Sequence, residues 1–342
     1  MQECQEIKQN TTKALIPKNS ITLSNFCMRM ALNNENTLLL LDTLFAISVY
    51  AFKNGFIQKV QLLTFNSQTS ATLAFLNKKS YFISCSKCSL ILWSTTLLGS
   101  YKYIKKIAED LDSTVCIALH PIDENLLFSS SKDNKIKILS ISITKQPCQQ
   151  TIFVPIGRII QLIINQEGSR LIALAESKKI LVLQRNGQLW DIKHQVDVEQ
   201  ELHKICFINN LKFIFSSKQM VLFSHSAQTL QAYDLNEEAI SCSSSESLCI
   251  NECMTFYKPD TFPFFFDQNK QVLLVVGFCN INVIKFQNQD SGKLIIDNVI
   301  KYREHLQFSS IIVAFLSKDG NYLMISDLKS LKIDIFELED VY

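Results

Sequence analysis

The chain has 342 residues, 47% of them hydrophobic, and 34 basic against 32 acidic side chains for a net charge of +2. That apolar fraction is enough for a sizeable core and excludes wholesale disorder. The near balance of charge speaks against a general polyanion binder, which carries a clustered basic excess. Only 8 glycines occur, where about 7% of a chain is usual, and they are too dispersed for a phosphate-cradling loop.

The opening residues, MQECQEIKQN, hold no apolar stretch and do not read as a secretory signal. Residues 1–12 are expected to be a polar extension and 13–342 one folded unit. Within that unit, residues 13–17 (KALIP) form a short apolar run in polar surroundings. The greasiest region, residues 38–52, is interrupted by Asp42 and is too short for a bilayer span, so it reads as two strands with no membrane insertion. Eleven cysteines without such a signal suggest reduced thiols, in the cytoplasm or nucleus. Cys85 and Cys88 form one CxxC, and Cys242, Cys249 and Cys253 cluster loosely. A zinc site wants a second pair or spaced histidines, so no metal and no cofactor are expected.

Seven times along the chain a β-rich unit ends on a bulky apolar residue: Tyr50, Trp93, Leu139, Leu183, Tyr233, Phe286 and Phe336. Successive spacings of 43, 46, 44, 50, 53 and 50 residues lie near the roughly 40–45 residues of a four-stranded propeller blade. Each unit has an inner hairpin, at residues 31–42, 75–86, 119–133, 163–177, 207–217, 266–277 and 315–327. Runs such as 38–41 and 272–276 are apolar throughout, which fits strands covered on both faces between neighbouring blades. Asn54-Gly55, Asn186-Gly187 and Asp319-Gly320 fall where this register needs tight turns. Asn33, Asn34, Asn36, Asn77, Asn209 and Asn210 are expected to take left-handed turn positions in place of glycine.

The fold class is therefore all-β, a single seven-bladed propeller. Residues 13–17 are expected to pair as the outer strand of the last blade and close the ring. In unit five, residues 229–235 suit the third strand, yet 219–224 also read as a strand. A long loop is expected over about 236–261, rich in serine and acid.

Residues 129–139 (SSSKDNKIKIL), preceded by His120-Pro121, resemble the heart of a WD repeat, with Asp133 on the turn aspartate and Leu139 at the tryptophan position. Ile91-Leu92-Trp93 and Tyr233-Asp234 resemble repeat ends, and residues 313–327 the entry to a second strand. In its glycine-poor style the chain is similar to divergent WD-repeat proteins of ciliates. The resemblance implies a non-catalytic scaffold or adaptor that binds other proteins through rims and loops, as a monomer within a complex. No Gly-His dipeptide occurs, so the family's His–Ser–Asp–Trp network is expected to be fragmentary. Trp190-Asp191 directly follows Asn186-Gly187 and reads as the start of an outer strand, not a repeat end.

Two segments are candidate partner surfaces. Tyr101, Lys102, Tyr103, Lys105 and Lys106 alternate aromatic and basic side chains, a pattern suited to RNA or to an acidic partner; a solvated strand face is the plainer reading. Glu237, Glu238, Ser243, Ser244 and Ser245 form an acidic, phosphorylatable loop or merely a flexible one. The five histidines are spread through the chain without a catalytic spacing, and His120 is expected at a strand-end turn. A hydrolase-like propeller would need acidic and histidine side chains converging at the channel.

Overall fold

The apolar runs pair into seven antiparallel sheets. The computed structural model describes residues 14–43, 46–64, 70–86, 89–96, 104–108, 116–142, 147–154, 157–198, 201–220, 226–235, 240–242, 248–250, 264–277, 279–286, 294–303, 312–327 and 330–338. The strand β1 (Asn19–Thr22) comes first but belongs to the last sheet. Blade one is β2 (Cys27–Leu32), β3 (Leu38–Thr43), β4 (Ala46–Lys53) and β5 (Phe56–Thr64). Blade two is β6 (Ser70–Phe75), β7 (Tyr81–Ser86), β8 (Ser89–Ser94) and β9 (Lys105–Ala108). Blade three is β10 (Cys116–Leu119), β11 (Leu126–Ser130), β12 (Lys135–Ser140) and β13 (Cys148–Phe153). Blade four is β14 (Ile159–Ile164), β15 (Arg170–Ala175), β16 (Lys179–Asn186) and β17 (Leu189–Asp197).

Blade five holds β18 (Glu201–Phe207), β19 (Lys212–Met220) and β20 (Ser226–Leu235), with β21 (Ile240–Cys242) and β22 (Leu248–Ile250) both pairing with β20. Blade six is β23 (Phe264–Asp267), β24 (Val272–Val276), β25 (Asn280–Phe286) and β26 (Leu294–Lys301). Blade seven is β27 (Ile312–Leu316), β28 (Tyr322–Asp327), β29 (Lys332–Glu337) and the borrowed β1. All seven bulky residues that mark the repeat sit on third strands. The ambiguity in unit five resolves into a long hairpin: Gln219 and Met220 end the second strand, and Thr229 to Leu235 lie in the third. The segment read as loop carries β21 and β22.

Strand alternation explains why the sheets stack into a ring. Successive side chains of a strand point to opposite faces, and each face meets a different neighbour. Leu39 and Leu41 join Tyr322, Met324, Ile333 and Ile335 between blades seven and one. Leu40, between them in sequence, joins Phe82, Ile91 and Trp93 between blades one and two. Leu171 and Ala173 pack toward blade three with Phe128 and Trp190, while Ile172 and Leu174 pack toward blade five with Phe213. Separate apolar clusters fill the interface between blades two and three and the continuous interface of blades five, six and seven. Each fully buried side chain of this size contributes roughly 1.5–3 kcal/mol, so inter-blade packing is the main cohesive term.

The N-terminal segment closes the ring, but through residues 19–22, just past the expected KALIP strand at 13–17. β1 pairs antiparallel with β29, from Asn19 opposite Ile335 to Thr22 opposite Lys332. Pro17 lacks a donor, and the alternating exposure of the NSIT strand suits an outermost edge. The residues before it bind other blades: Leu15 N–H donates to the Lys301 carbonyl of blade six at 2.7 Å. Lys18 pairs with Glu337 at 2.6 Å, and its stem lies against Gly55 of blade one. One strap thus touches three consecutive blades.

Asparagine acts differently from expectation. Of the residues proposed for left-handed positions only Asn36 has positive φ (51°), alongside Asn54, Asn134, Lys178, Gln271 and Leu331. Most turn asparagines brace the backbone with their side chains instead. Asn33 Oδ1 accepts from the Thr37 and Leu38 amides, both at 2.8 Å. Asn165 does the same for Ser169 and Arg170 at 2.9 Å, and Asn209 for Leu211 and Lys212 at 2.8 and 2.7 Å. An oxygen that accepts two turn amides substitutes for the ladder bonds the turn loses.

Candidate functional site: the bridged turn face and the channel ring

The turns joining first and second strands all lie on one face, and polar side chains bridge them around the ring. Asn34 Nδ2 donates to the Asn77 carbonyl of blade two at 3.1 Å. Asn77 and Lys79 reach Pro121 and Asn125 of blade three at 3.4 and 2.7 Å, and the Lys78 amide donates to Glu124. Between blades four and five, Asn165 and the Glu167 amide both reach Asn210, at 3.5 and 3.2 Å. Asn269 reaches Asp319 of blade seven at 3.4 Å, and Asn36 of blade one closes the circle on Asp319 at 2.6 Å. Two bonds cross the face: Gln166 of blade four to Gln268 of blade six, and Lys318 of blade seven to Asn77 of blade two.

His120 occupies the first position of the blade-three turn, as expected, and is 3% exposed. Its Nδ1 accepts from the Asp123 amide at 2.9 Å, and its Nε2 lies 3.0 Å from the Gly168 carbonyl of blade four. Those partners place the proton on Nε2, so the ring is neutral. Burial lowers its pKa, the Gly168 carbonyl opposing. This is a blade lock with both ring nitrogens occupied.

The repeat-marking residues are also locks. Asp133 accepts from Ser131 and from the Lys135 amide at 3.2 Å, and pairs with Lys135 and Lys137 at 3.8 and 3.9 Å. Trp93 Nε1 donates to Ser84 at 2.9 Å within blade two. Tyr233 stacks on Phe213 at 5.7 Å, and Asp234 pairs with Lys212 at 3.4 Å. Arg303, leaving blade six, pairs with Asp327 and Asp334 of blade seven at 3.1 Å each.

Trp190 begins an outer strand, as its turn predicts, yet is 1% exposed and meets Phe128 edge-on at 4.9 Å. Gln150 grips its backbone twice, donating to the carbonyl at 2.8 Å and accepting from the amide at 2.9 Å. Tyr101, Lys102, Tyr103, Glu237, Glu238, Ser243, Ser244 and Ser245 lie outside the described residues. Of the basic face, Lys105 donates to the Ser142 carbonyl at 2.9 Å, so its ammonium is engaged with protein.

A second feature has no counterpart in the sequence reading. Four residues before each turn, the inner strands place Arg29, Thr72, Cys116, Gln161, Lys204 and Val313 at one level. Each lies on the strand face turned toward the following blade. Gln161 bonds both the carbonyl and amide of Ile205, at 3.1 and 3.0 Å. The Lys204 ammonium sits 5.6 and 4.9 Å from the ring centres of Phe264 and Phe265. Arg29 stands opposite Asp42 on the neighbouring strand. Aligning the seven turns in sequence would have exposed this ring.

The thiols around the channel stay protonated. Burial pushes Cys27 up to about 12, and Cys116 and Cys206 each to about 11. Among the described residues no three His, Cys, Asp or Glu side chains gather as a metal site, and no helix is long and apolar enough to cross a membrane.

Seven radial sheets, six of four strands and one of five, with the last blade closed by the N-terminal strand, define a β-propeller. The fold is similar to that of the Neurospora crassa Pan2 WD40 domain, whose solved structure superimposes with a TM-score of 0.68. That match covers 96% of this chain and 95% of that one, at 10% identity. No family model and no curated protein matches the sequence. The fold alone does not choose among functions.

Proposed function

We propose that this chain is a non-catalytic interaction platform, a divergent WD-repeat protein of the kind seen in ciliates, holding other proteins within a larger assembly. One observation carries the reading: several described side chains suited to acid–base or nucleophilic chemistry are engaged in contacts within or between blades. His120 has both nitrogens bonded, Asp133, Asp234, Asp327 and Asp334 are paired with cations, and the channel thiols are neutral. A rigid ring of that kind offers surface in place of reactivity.

The perimeter supplies that surface. Phe56, Val60 and Leu62 are exposed along β5, and Phe153, Leu189 and Ile192 along the outer strands of blades three and four. Large apolar side chains grouped on an outer strand mark partner contacts. Partners are other proteins, in a compartment that keeps thiols reduced.

Purification at native expression with quantitative mass spectrometry tests this. A stoichiometric companion, weakened by Phe56→Asp with Leu62→Asp, is expected. Recovery as a lone monomer would refute the platform.

A further inference from the structure

Arg29 and Lys204 take no part in the blade locks. Arg29 is solvent-accessible, yet it lies on the innermost strand, inside the ring. As an exposed residue of β2, the innermost strand of blade one, Arg29 faces the central channel. Lys204 reaches the same space from the same level of its own strand. Its ammonium has only aromatic faces for company, and burial pushes its pKa down to about 8. Neither cation has a hydrogen-bonded or ion-paired partner among the described residues. The charged group that offsets them is Asp42, beside Arg29. The neighbouring thiols, Cys27, Cys85, Cys116 and Cys206, contribute no charge when protonated.

We infer that Arg29 and Lys204 form a binding site in the central channel for a phosphate group carried on a small-molecule ligand. Two cations against one carboxylate leave an unneutralised positive charge in an enclosed space, where charge interactions are stronger than in water. A planar guanidinium fork presents paired donors to phosphate oxygens, and an ammonium adds a point charge from across the channel.

The test uses the full chain with inorganic pyrophosphate and orthophosphate, and sodium chloride at matched ionic strength, read by calorimetry and thermal shift. Saturable binding is expected for the phosphates and not for chloride, weakened at least about tenfold in Arg29→Gln and in Lys204→Met. Arg29→Gln leaves the buried Asp42 without its neighbouring cation and is expected to melt lower than the parent without ligand. A measurement on the unmutated protein stands beside it: pyrophosphate should slow acylation of Lys204, mapped by peptide mass spectrometry, and leave the perimeter Lys59 unchanged. Absence of saturable binding would overturn the site. So would binding equal in parent and variants, or protection of Lys59 alongside Lys204, either of which marks loose surface association.

Discussion

Gly168 tests the turn-face architecture most sharply. Its φ of +68° is a left-handed conformation, and a methyl group built on it overlaps the His120 imidazole of the preceding blade. The left-handed geometry costs an L-residue roughly 1–2 kcal/mol. Displacing a packed ring adds about 1–3 kcal/mol, so Gly168→Ala should destabilise by about 2–5 kcal/mol. For a chain of this length that corresponds to a fall of about 3–7 °C in Tm. The two costs separate in a double-mutant cycle with His120→Ala, which empties the space the methyl needs. In that background Gly168→Ala should cost only the backbone part, a coupling of about 1–3 kcal/mol, read by thermal or denaturant unfolding of the four proteins. Strictly additive losses would refute the claim that His120 and Gly168 form one lock.

Two further predictions rest on single side chains. Trp190→Ala should cost about 3–5 kcal/mol by emptying the interface of blades three and four. Trp190→Phe should cost far less, because the indole N–H has no hydrogen-bond partner; similar losses in both would contradict that packing. Burial lowers the His120 pKa, so the folded state resists its protonation. Stability from this group is therefore full above the unfolded value of about 6.5 and is lost as pH falls through the lower folded value. Denaturation midpoints should drop as pH falls below about 6.5, and His120→Asn should flatten that dependence, since Asn33 and Asn165 brace the equivalent turns. Parallel profiles for the two proteins would contradict the assignment.

The fold was legible where burial constrains residue type. A third strand clamped between two blades needs bulk, so Tyr50, Trp93 and Phe336 announce themselves. The closing strand sits at an edge where polar residues suffice, and NSIT gives no apolar signal; the eye settles on KALIP, whose Leu15 does anchor the strap, but on blade six. Asparagine tolerates two distinct turn roles, left-handed backbone and side-chain acceptor, and sequence does not separate Asn36 from Asn33. Blade five carries two strands beside β20 because β20 is long enough to pair with both outer segments. Of the sites, the locks at Asp133, Trp93 and Asp234 were visible as repeat residues. The channel ring was not, because Arg29, Thr72, Cys116, Gln161 and Lys204 share a distance from a turn and no common chemistry.

Ring closure by the N-terminal strap is the claim on which the platform, the channel and the turn face all depend. Hydrogen exchange of the intact chain measures it directly. Amides of residues 19–22 that pair with β29 should be protected to the same degree as those of Ile333 and Ile335 opposite them. Exchange of residues 19–22 at the rate of an unstructured segment, with β29 still protected, would contradict closure.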